Sequence, residues 1–494
     1  MIALPILLPM LWGICALFAL RRLQVQKAFG IAGTLSQLGA ALWLFLHVQR
    51  NGIEILQVGS WPAPFGIVLV ADLFSAIMVL VAAVVALAVA FYSQAGIDNR
   101  RIRYGYYPLF FFLLMGVNGA FLTGDLFNLY VWFEVMLMSS FVLIALGGER
   151  AQIEGAIKYV ILNLLSSTIF LSAVGLTYNL AGTLNMADLA LRLPFIQAEG
   201  EVTLIATLFL VAFGIKSAIF PLFFWLPASY HTPPVTITAL FSGLLTKVGV
   251  YALFRVFTLL FVGDTAFTHT LILILAGFTM VTGVFGAAAQ LDFRRLLSFH
   301  IISQIGYLLM GLGLFSQASL AAGVYFMVHV ILAKTALFLV AGMVYRLRGS
   351  FNLKELGGLY AVRFSTALLF LLPALSLAGL PPLSGFFAKL ALVISGVALQ
   401  RYLIVGVCLA VSLMTLYSMT KVWNEVFWKD APRPAVEDER LSVSPWIWLP
   451  TAGMVLLSLS VGLFAEPLLA IADQAAVQLA DPSIYIQAVL GGAP

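Results

Sequence analysis

Residues 214–227 have the sequence GIKSAIFPLFFWLP, in which Lys216 and Pro221 interrupt an otherwise apolar run. Proline has no amide hydrogen, so the carbonyl of Ser217, four residues earlier, loses its helical partner. Inside a membrane, a charged side chain and a broken backbone are both costly unless protein or water satisfies them. The segment therefore predicts a broken, buried helix with a functional lysine.

A second segment of the same kind lies further along the chain. Residues 379–390, GLPPLSGFFAKL, place Pro381, Pro382 and Gly385 ahead of Lys389. Interrupted helices in corresponding positions of two inverted repeats indicate the ion pathway of a transporter. A proline kink that only shapes helix packing is the alternative for either break taken alone.

The composition makes the bilayer the solvent for most of the chain. Hydrophobic residues make up 62% and charged residues 10% of 494 residues, and the mean hydropathy is +1.06. Soluble domains average roughly 45–50% apolar and about 25% charged residues. These values exclude a disordered chain, a nucleic-acid-binding module and a secreted disulfide scaffold.

Fourteen apolar segments are candidate spans, since a helix needs about 20 residues to cross a ~30 Å hydrocarbon core. They are 2–20, 28–48, 71–92, 107–123, 126–146, 156–181, 203–227, 235–261, 268–288, 295–314, 318–345, 364–397, 402–424 and 446–470. Spans four to eight and nine to thirteen form two blocks of five, and an odd number inverts the second block. The predicted fold class is an all-α polytopic membrane protein with about 14 transmembrane helices, two inverted five-helix repeats, and breaks in helices 7 and 12.

The predicted organisation has four parts. They are 1–106, three helices and an external loop in which 58–70 is a candidate hairpin; 107–263, the first half-channel; 264–425, the second half-channel; and 426–494, a cytoplasmic connector, helix 14 and an external tail.

Positive residues in the connecting segments predict the orientation, because cytoplasmic loops carry an excess of lysine and arginine. Eighteen basic residues fall on one side and three, Arg50, Arg192 and Arg401, on the other. The eighteen are Arg21, Arg22, Lys27, Arg100, Arg101, Arg103, Arg150, Lys158, Arg294, Arg295, Arg346, Arg348, Lys354, Arg363, Lys421, Lys429, Arg433 and Arg440. This split predicts a multi-pass protein with both termini outside.

Five basic residues and one carboxylate remain inside predicted spans: Lys216, Lys247, Arg255, Lys334, Lys389 and Glu134. Burial lowers the pKa of a lysine and a nearby carboxylate raises it again, so a Glu–Lys pair of variable separation is a proton switch. Glu134 and Lys216 are the candidate pair, and a static salt bridge that fixes helix packing is the alternative. Arg255 stays protonated, so its predicted role is structural or that of an electrostatic barrier.

Two histidines are candidate proton relays, because an ordinary imidazole titrates near physiological pH. His329 and Lys334 are five residues apart, about 140° around a helix, so they do not share a face. His300 lies near the predicted cytoplasmic end of its span and is a candidate for proton uptake, with capping as the alternative. Asp72 and Asp125 are predicted helix caps at external span ends.

Nothing in the sequence indicates a cofactor or a metal site. It has no P-loop, no Gly-rich dinucleotide motif after a strand, no CxxC and no HExxH. Neither redox chemistry nor ATP hydrolysis is expected from this chain alone.

Several long motifs resemble the antiporter-like membrane subunits shared by complex I and the multisubunit Mrp cation/proton antiporters, and most closely the D subunits of the latter. Besides the two broken segments, they are VGSWPAPFGIVLVADLFS (58–75), GDLFNLYVWFE (124–134), LPASYHTPPVTITALFSGLLTKVGVYALFR (226–255) and SFHIISQIGY (298–307). The resemblance covers at least residues 60–395.

The resemblance implies a midplane proton relay, which here would comprise Glu134, Lys216, Lys247, His329, Lys334 and Lys389. In the family, the glutamate that corresponds to Glu134 modulates the lysine that corresponds to Lys216. The partners implied are other membrane subunits, including a larger paralogue, together with H+ and Na+, or K+ or Li+. The location implied is a bacterial or archaeal cytoplasmic membrane.

Two functions follow from this resemblance. The first is the proton-translocating subunit of an antiporter that uses the proton motive force to extrude Na+. The second is a proton-pumping subunit of a redox complex such as NADH:quinone oxidoreductase or a membrane-bound hydrogenase. A membrane scaffold with vestigial charges is a third hypothesis, which six buried ionisable residues argue against.

Overall fold

The computed structural model describes residues 1–431 and 443–491, which form 21 α-helices and one two-stranded sheet. Eleven of these helices are long and apolar enough to cross a membrane. The predicted all-α, polytopic fold is confirmed. Arg433 and Arg440, counted above among the cytoplasmic basic residues, lie outside the described residues.

The N-terminal part contains three helices and a hairpin: α1 (Leu4–Phe18), α2 (Leu23–Asn51), β1 (Glu54–Gln57), β2 (Val68–Ala71) and α3 (Leu73–Gly96). The strands are antiparallel: β1 precedes the predicted hairpin stretch 58–70 and β2 overlaps its end, so the hairpin is longer than predicted. Asp72 caps α3, since its carboxylate accepts the Ser75 amide and the Ser75 hydroxyl accepts the Asp72 amide. The predicted capping role of Asp72 is confirmed.

The following part contains eight helices: α4 (Asn99–Arg103), α5 (Tyr106–Leu122), α6 (Leu126–Ala145), α7 (Arg150–Ala181), α8 (Met186–Arg192), α9 (Glu199–Ser217), α10 (Trp225–Ser229) and α11 (Val235–Leu259). The predicted span 203–227 is interrupted, because α9 ends at Ser217 and Ala218 adopts the left-handed conformation. Asp125 caps α6, as predicted, by accepting the Asn128 amide.

The next part contains seven helices: α12 (Thr265–Ala289), α13 (Phe293–Leu314), α14 (Gln317–Arg348), α15 (Leu359–Val362), α16 (Phe364–Ala378), α17 (Ser384–Ala398) and α18 (Tyr402–Trp423). The interruption between α16 and α17 contains Pro381 and Pro382. Gly385 was predicted to belong to this break, and that placement is wrong: it lies in the first turn of α17. Gly379, with φ of 94°, supplies the left-handed residue that ends α16.

The two halves show the same spacing of elements. The helices α7 (Arg150–Ala181) and α14 (Gln317–Arg348) are both 32 residues long, and each boundary of the second lies 167 residues after its counterpart. Two isolated bridges have the same offset, since Asp125 pairs with Asn185 and Asp292 with Asn352. This recurrence supports the predicted internal repeat.

The C-terminal part is more ordered than the predicted tail. It contains α19 (Pro445–Leu463), α20 (Ala465–Ala480) and α21 (Pro482–Leu490). The predicted span 446–470 was drawn too long, because α19 ends near Phe464 and α20 packs against α14 and α3. Proline at the first helical position favours the starts of α19 and α21.

Helices α3, α11, α13 and α14 form the buried centre, and α11 is buried along its whole apolar window. In helices α2, α7, α12 and α18 only 39% of the apolar window is fully buried within this chain. Eleven predicted spans correspond to long apolar helices. The other three correspond to α1, to α5, and to α16 with α17.

The segments predicted to be cytoplasmic meet at one end of the molecule. There they surround a polar cavity of about 620 Å3, whose charged lining residues are Asp98, Arg101, Glu149, Arg294 and Arg346. Segments from five predicted cytoplasmic connections line this one cavity. Its composition supports their assignment to the same side.

Candidate functional site

The five basic residues predicted inside spans are all buried. Lys247 and Lys334 are 0% exposed, and Lys216, Arg255 and Lys389 are 5–6% exposed. A charge so removed from water needs partners. What each side chain contacts therefore determines its possible role.

Lys216 lies in the last turn of α9, next to the break. Its Nζ donates a hydrogen bond to Ser167 Oγ of α7 over 3.0 Å and lies 5.0 Å from the centre of the Phe133 ring. The Ile215 carbonyl at the end of the helix accepts the Ala218 amide over 3.0 Å and also Trp225 Nε1 over 2.9 Å. A cavity of about 10 Å3 beside Lys216 has roughly the room that one water molecule needs.

Glu134 follows Phe133 on α6, but it makes no ion pair with Lys216 within 4.0 Å among the described side chains. Its charge still acts on Lys216. One carboxylate oxygen is buried without a hydrogen-bond partner, while the residue as a whole is half-buried. The static salt bridge considered as an alternative is therefore not formed in this structure.

The next two lysines lie at the centre, on α11 and α14, which pack together. Lys247 Nζ donates to the Ser242 carbonyl over 2.5 Å, and Lys334 Nζ donates to the Leu297 carbonyl of α13 over 3.3 Å. The charge of Lys247 acts on Lys334. Both ammonium groups therefore donate hydrogen bonds to uncharged carbonyl oxygens.

Lys389 lies on α17 and reaches back across the second break. Its Nζ donates to the carbonyls of Leu377 and Ala378, over 2.9 and 3.0 Å. These carbonyls end α16, where the helix dipole favours a positive charge. The ammonium also lies 4.8 Å from the centre of the Tyr307 ring.

His329 joins this second break from α14. Its Nδ1 is hydrogen-bonded to Ser384 Oγ over 2.8 Å, and Ser384 Oγ lies 2.9 Å from Ser376 Oγ. Its Nε2 is buried without a hydrogen-bond partner. His329 contacts α17 whereas Lys334 contacts α13, which confirms that the two residues use different faces of α14.

His300, the candidate for proton uptake, is fully buried rather than open to the cytoplasmic end. Its Nε2 is hydrogen-bonded to Ser418 Oγ of α18 over 2.7 Å, and its Nδ1 is buried without a partner. The charges of Lys334 and Lys389 both act on it. His300 therefore lies among the buried lysines of the second half.

Further buried polar atoms without protein partners accompany these residues. They belong to Ser217, Thr246, Ser303, Gln304 and Thr335. Buried polar groups normally exchange hydrogen bonds with protein or with ordered water. This set offers sites at which water can connect neighbouring titratable groups.

Sequence reasoning missed the partner of Arg255. Arg255 Nη2 lies 2.6 Å from Asp72 Oδ2, and both side chains are buried. Asp72 had been explained as a helix cap and Arg255 as a structural or barrier residue, so neither prediction suggested the other. The missed signal was that a buried arginine requires a counter-charge.

The described residues contain no group of three or more His, Cys, Asp or Glu side chains that could hold a metal ion. The site consists of isolated titratable groups on contacting helices. Proton transfer suits such a row better than cation coordination does, because hard cations require several oxygen ligands.

Comparisons with known proteins show which family the chain resembles. Residues 123–415 match the family model described as NADH:quinone oxidoreductase/Mrp antiporter, TM. The chain is 46% identical over 490 residues to the D subunit of the Na+/H+ antiporter of Alkalihalophilus pseudofirmus, covering 99% of each chain.

Solved structures give the same result. The chain resembles one from the Mrp complex of Dietzia sp. DQ12-45-1b, with a TM-score of 0.91, 31% identity and 99% of each chain covered. It also resembles a chain of an archaeal membrane-bound sulfane sulfur reductase, with a TM-score of 0.90, 27% identity and 99% of each chain covered.

Proposed function

Because this chain belongs to the family of membrane subunits shared by NADH:quinone oxidoreductase and the Mrp antiporters, we propose that it is the proton-translocating subunit of a multisubunit cation/proton antiporter. It uses the proton motive force to drive extrusion of Na+. It is a multi-pass transporter subunit of a hetero-oligomeric membrane complex and not itself an enzyme.

One observation carries the proposal: four buried lysines, Lys216, Lys247, Lys334 and Lys389, are held by hydroxyl or carbonyl oxygens only. Among the described residues none has a carboxylate within 4.0 Å. A buried ammonium without a counter-charge is costly, so the neutral amine is an accessible second state. Such a lysine can take up and release a proton.

The proposed relay runs from Glu134 through Lys216, Lys247 and Lys334 to Lys389, with His329 beside the last step. Successive residues lie on helices that pack together, from α6 through α7, α9 and α11 to α14 and α17. Water at the unpartnered polar atoms bridges the longer steps. His300 acts inside the second half, not at the cytoplasmic surface.

Glu134 modulates the relay from the edge of the chain. It shares a partly exposed face of α6 with Phe127, Val131 and Met138, all at helical spacing. A neighbouring subunit packed on this face would reach the carboxylate. We propose that the complex controls proton release from Lys216 in this way.

The cation takes a different path. A lone carboxylate is a poor site for Na+, which binds several oxygens. We propose that Na+ crosses another subunit, such as the larger paralogue, or a subunit interface.

The proposed arrangement places residues 1–106, 107–263, 264–425 and 426–494 as the four parts predicted from the sequence. The cavity lined by arginines faces the cytoplasm, and both termini face outside, in a bacterial or archaeal cytoplasmic membrane. The excess of basic residues at the cavity end supports this orientation.

The second candidate is a proton-pumping subunit of a redox-driven complex, and the similarity to the sulfane sulfur reductase chain favours it. The higher identity to the D subunit of an antiporter favours the first. To distinguish them, the chain is tagged, extracted in mild detergent and recovered with its partners. Small cofactor-free membrane proteins with a larger paralogue support the antiporter, whereas flavin- or iron–sulfur-bearing subunits overturn it.

A further inference from the structure

A second buried charge centre lies at the end of the molecule opposite the arginine-lined cavity. It consists of the ion pair between Arg255, near the end of α11, and Asp72, at the start of α3. The Arg255 and Asp72 side chains are 6% and 1% exposed. The proposed relay does not use this pair.

Aromatic side chains enclose the guanidinium of Arg255. It lies 5.5 Å from the centre of the Tyr251 ring and 5.3 Å from that of Tyr485. Its Nη2 donates to Tyr251 Oη over 3.0 Å, and that hydroxyl donates to the Phe121 carbonyl over 2.6 Å. The guanidinium is therefore held rigidly and away from water.

The C-terminal helices cover the pair from outside. Tyr485 of α21 is buried and lies close to Gly124. A Cβ added to this glycine would be 3.1 Å from the tyrosine hydroxyl. On α20, Gln478 Oε1 accepts a hydrogen bond of 2.9 Å from the backbone amide of Leu73, the residue after Asp72. Helices α20 and α21 thus close this end around the pair.

The pair lies between the lysines and the outer surface. Lys247 and Arg255 are two turns apart on one face of α11, about 12 Å along the axis. Lys247 Nζ donates a hydrogen bond to the carbonyl of Ser242, five residues earlier in α11. The ammonium therefore points along the helix away from Arg255. A proton moving from the centre of the relay straight outward along α11 would have to pass Arg255.

We propose that the Arg255–Asp72 pair, covered by Tyr485, is an outer barrier that prevents uncoupled proton leak through the middle of the chain. An arginine keeps its charge at all physiological pH values, so the buried pair stays ionised and Arg255 cannot pass a proton on through this constriction. Asp72 balances this charge during folding without carrying protons. The inference rests on the proposed function and orientation.

This barrier predicts an asymmetry that a purely structural ion pair does not. Arg255→Gln removes the positive charge and leaves Asp72 as a buried carboxyl group that can hold a proton. Asp72→Asn keeps the positive charge, and asparagine caps a helix as well as aspartate. Only the first substitution should open a leak.

The test uses the complete purified complex in vesicles that contain a pH-sensitive dye, without Na+ and with the membrane potential clamped. After an acid pulse, Arg255→Gln should raise the proton leak about tenfold, since removing one charge from a dry site changes a barrier by at least that factor. Tyr485→Ala should raise it to a lesser extent, whereas Asp72→Asn and Tyr485→Phe should leak like the unmodified complex.

Equal leaks from Asp72→Asn and Arg255→Gln would overturn the barrier, as would an assembled Arg255→Gln complex without a leak. If Arg255→Gln or Asp72→Asn does not assemble, Tyr485→Ala decides, and a leak equal to that of Tyr485→Phe contradicts the proposal. Na+-driven exchange by the unmodified complex is recorded in the same vesicles. Its absence would remove the proposed function, independently of the leak pattern.

Discussion

Lys389 Nζ donates a hydrogen bond of 2.9 Å to the carbonyl of Leu377, across the gap that separates α17 from α16. The lysine therefore caps the half-helix that precedes it in the chain. In the first half, Lys216 precedes its break and bonds Ser167 of a neighbouring helix instead. Lys216 thus lies before the first break in the chain, whereas Lys389 lies after the second. The proposed proton transfer depends on both lysines.

Lys389→Ala is expected to block Na+-driven proton movement, because it removes the terminal group of the relay. Arg255→Ala should reduce it less, since Arg255 is not a carrier. Lys389→Arg is the matched variant: it can keep a positive charge near α16 but cannot release its proton, so it should assemble and still be inactive. Equal losses for Lys389→Ala and Arg255→Ala in everted-vesicle assays, after the leak measured without Na+ is subtracted, would contradict this ranking.

Glu134→Ala should abolish antiport while the complex still assembles, because the carboxylate acts on Lys216 without bonding it in this chain. Met138→Ala is the control, since Met138 lies one turn away on the same partly exposed face and is 61% exposed. Subunit recovery after affinity purification reports assembly. Normal transport by an assembled Glu134→Ala complex would refute the proposed switch.

Ser384→Ala should lower the transport rate several-fold, because it removes the hydroxyl that links His329 Nδ1 to Ser376. His329→Ala should lower it at least as much. Ser395→Ala, further along α17, removes only a bond to the Ala391 carbonyl within the helix and serves as the control. A rate for Ser384→Ala equal to that of Ser395→Ala would exclude the serine from the relay.

Gly385→Ala should destabilise the second half by about 1–3 kcal/mol, the usual cost of overpacking. An added Cβ would lie 1.8 Å from the Ser376 carbonyl and 2.9 Å from His329 Nε2. At Gly406 of α18 nothing lies within 4 Å of an added Cβ, so Gly406→Ala should be nearly neutral. Thermal unfolding of the detergent-solubilised complex measures both, and equal melting temperatures would contradict the packing argument.

Much of the fold and the positions of the buried lysines could be predicted, because a charge or a proline in an apolar run is a local signal. Lys216 beside Pro221 is visible in 14 residues of sequence. The internal repeat stays a prediction, made because the breaks recur at corresponding places in the sequence. The equal spacing of α7 and α14 adds a structural basis to that prediction.

The contacts could not be predicted where they join distant or backbone groups. The acceptors of Lys389 are carbonyls, which every residue has, so no residue type marks them. Asp72 and Arg255 each had a sufficient local explanation, which concealed their pairing. Helices α20 and α21 have 16 and 9 residues, so they are shorter than the span length that served as the signal for most other helices.

The central claim is that this chain carries protons for a cation antiporter. The most direct test is the purified complex in vesicles with an imposed pH gradient, with its subunits identified in parallel. We predict that added Na+ dissipates the gradient, that Lys389→Ala prevents this, and that the subunits include a larger paralogue without flavin or iron–sulfur centres. Exchange by Lys389→Ala at the unmodified rate, or proton movement that requires an electron donor instead of Na+, would contradict the account.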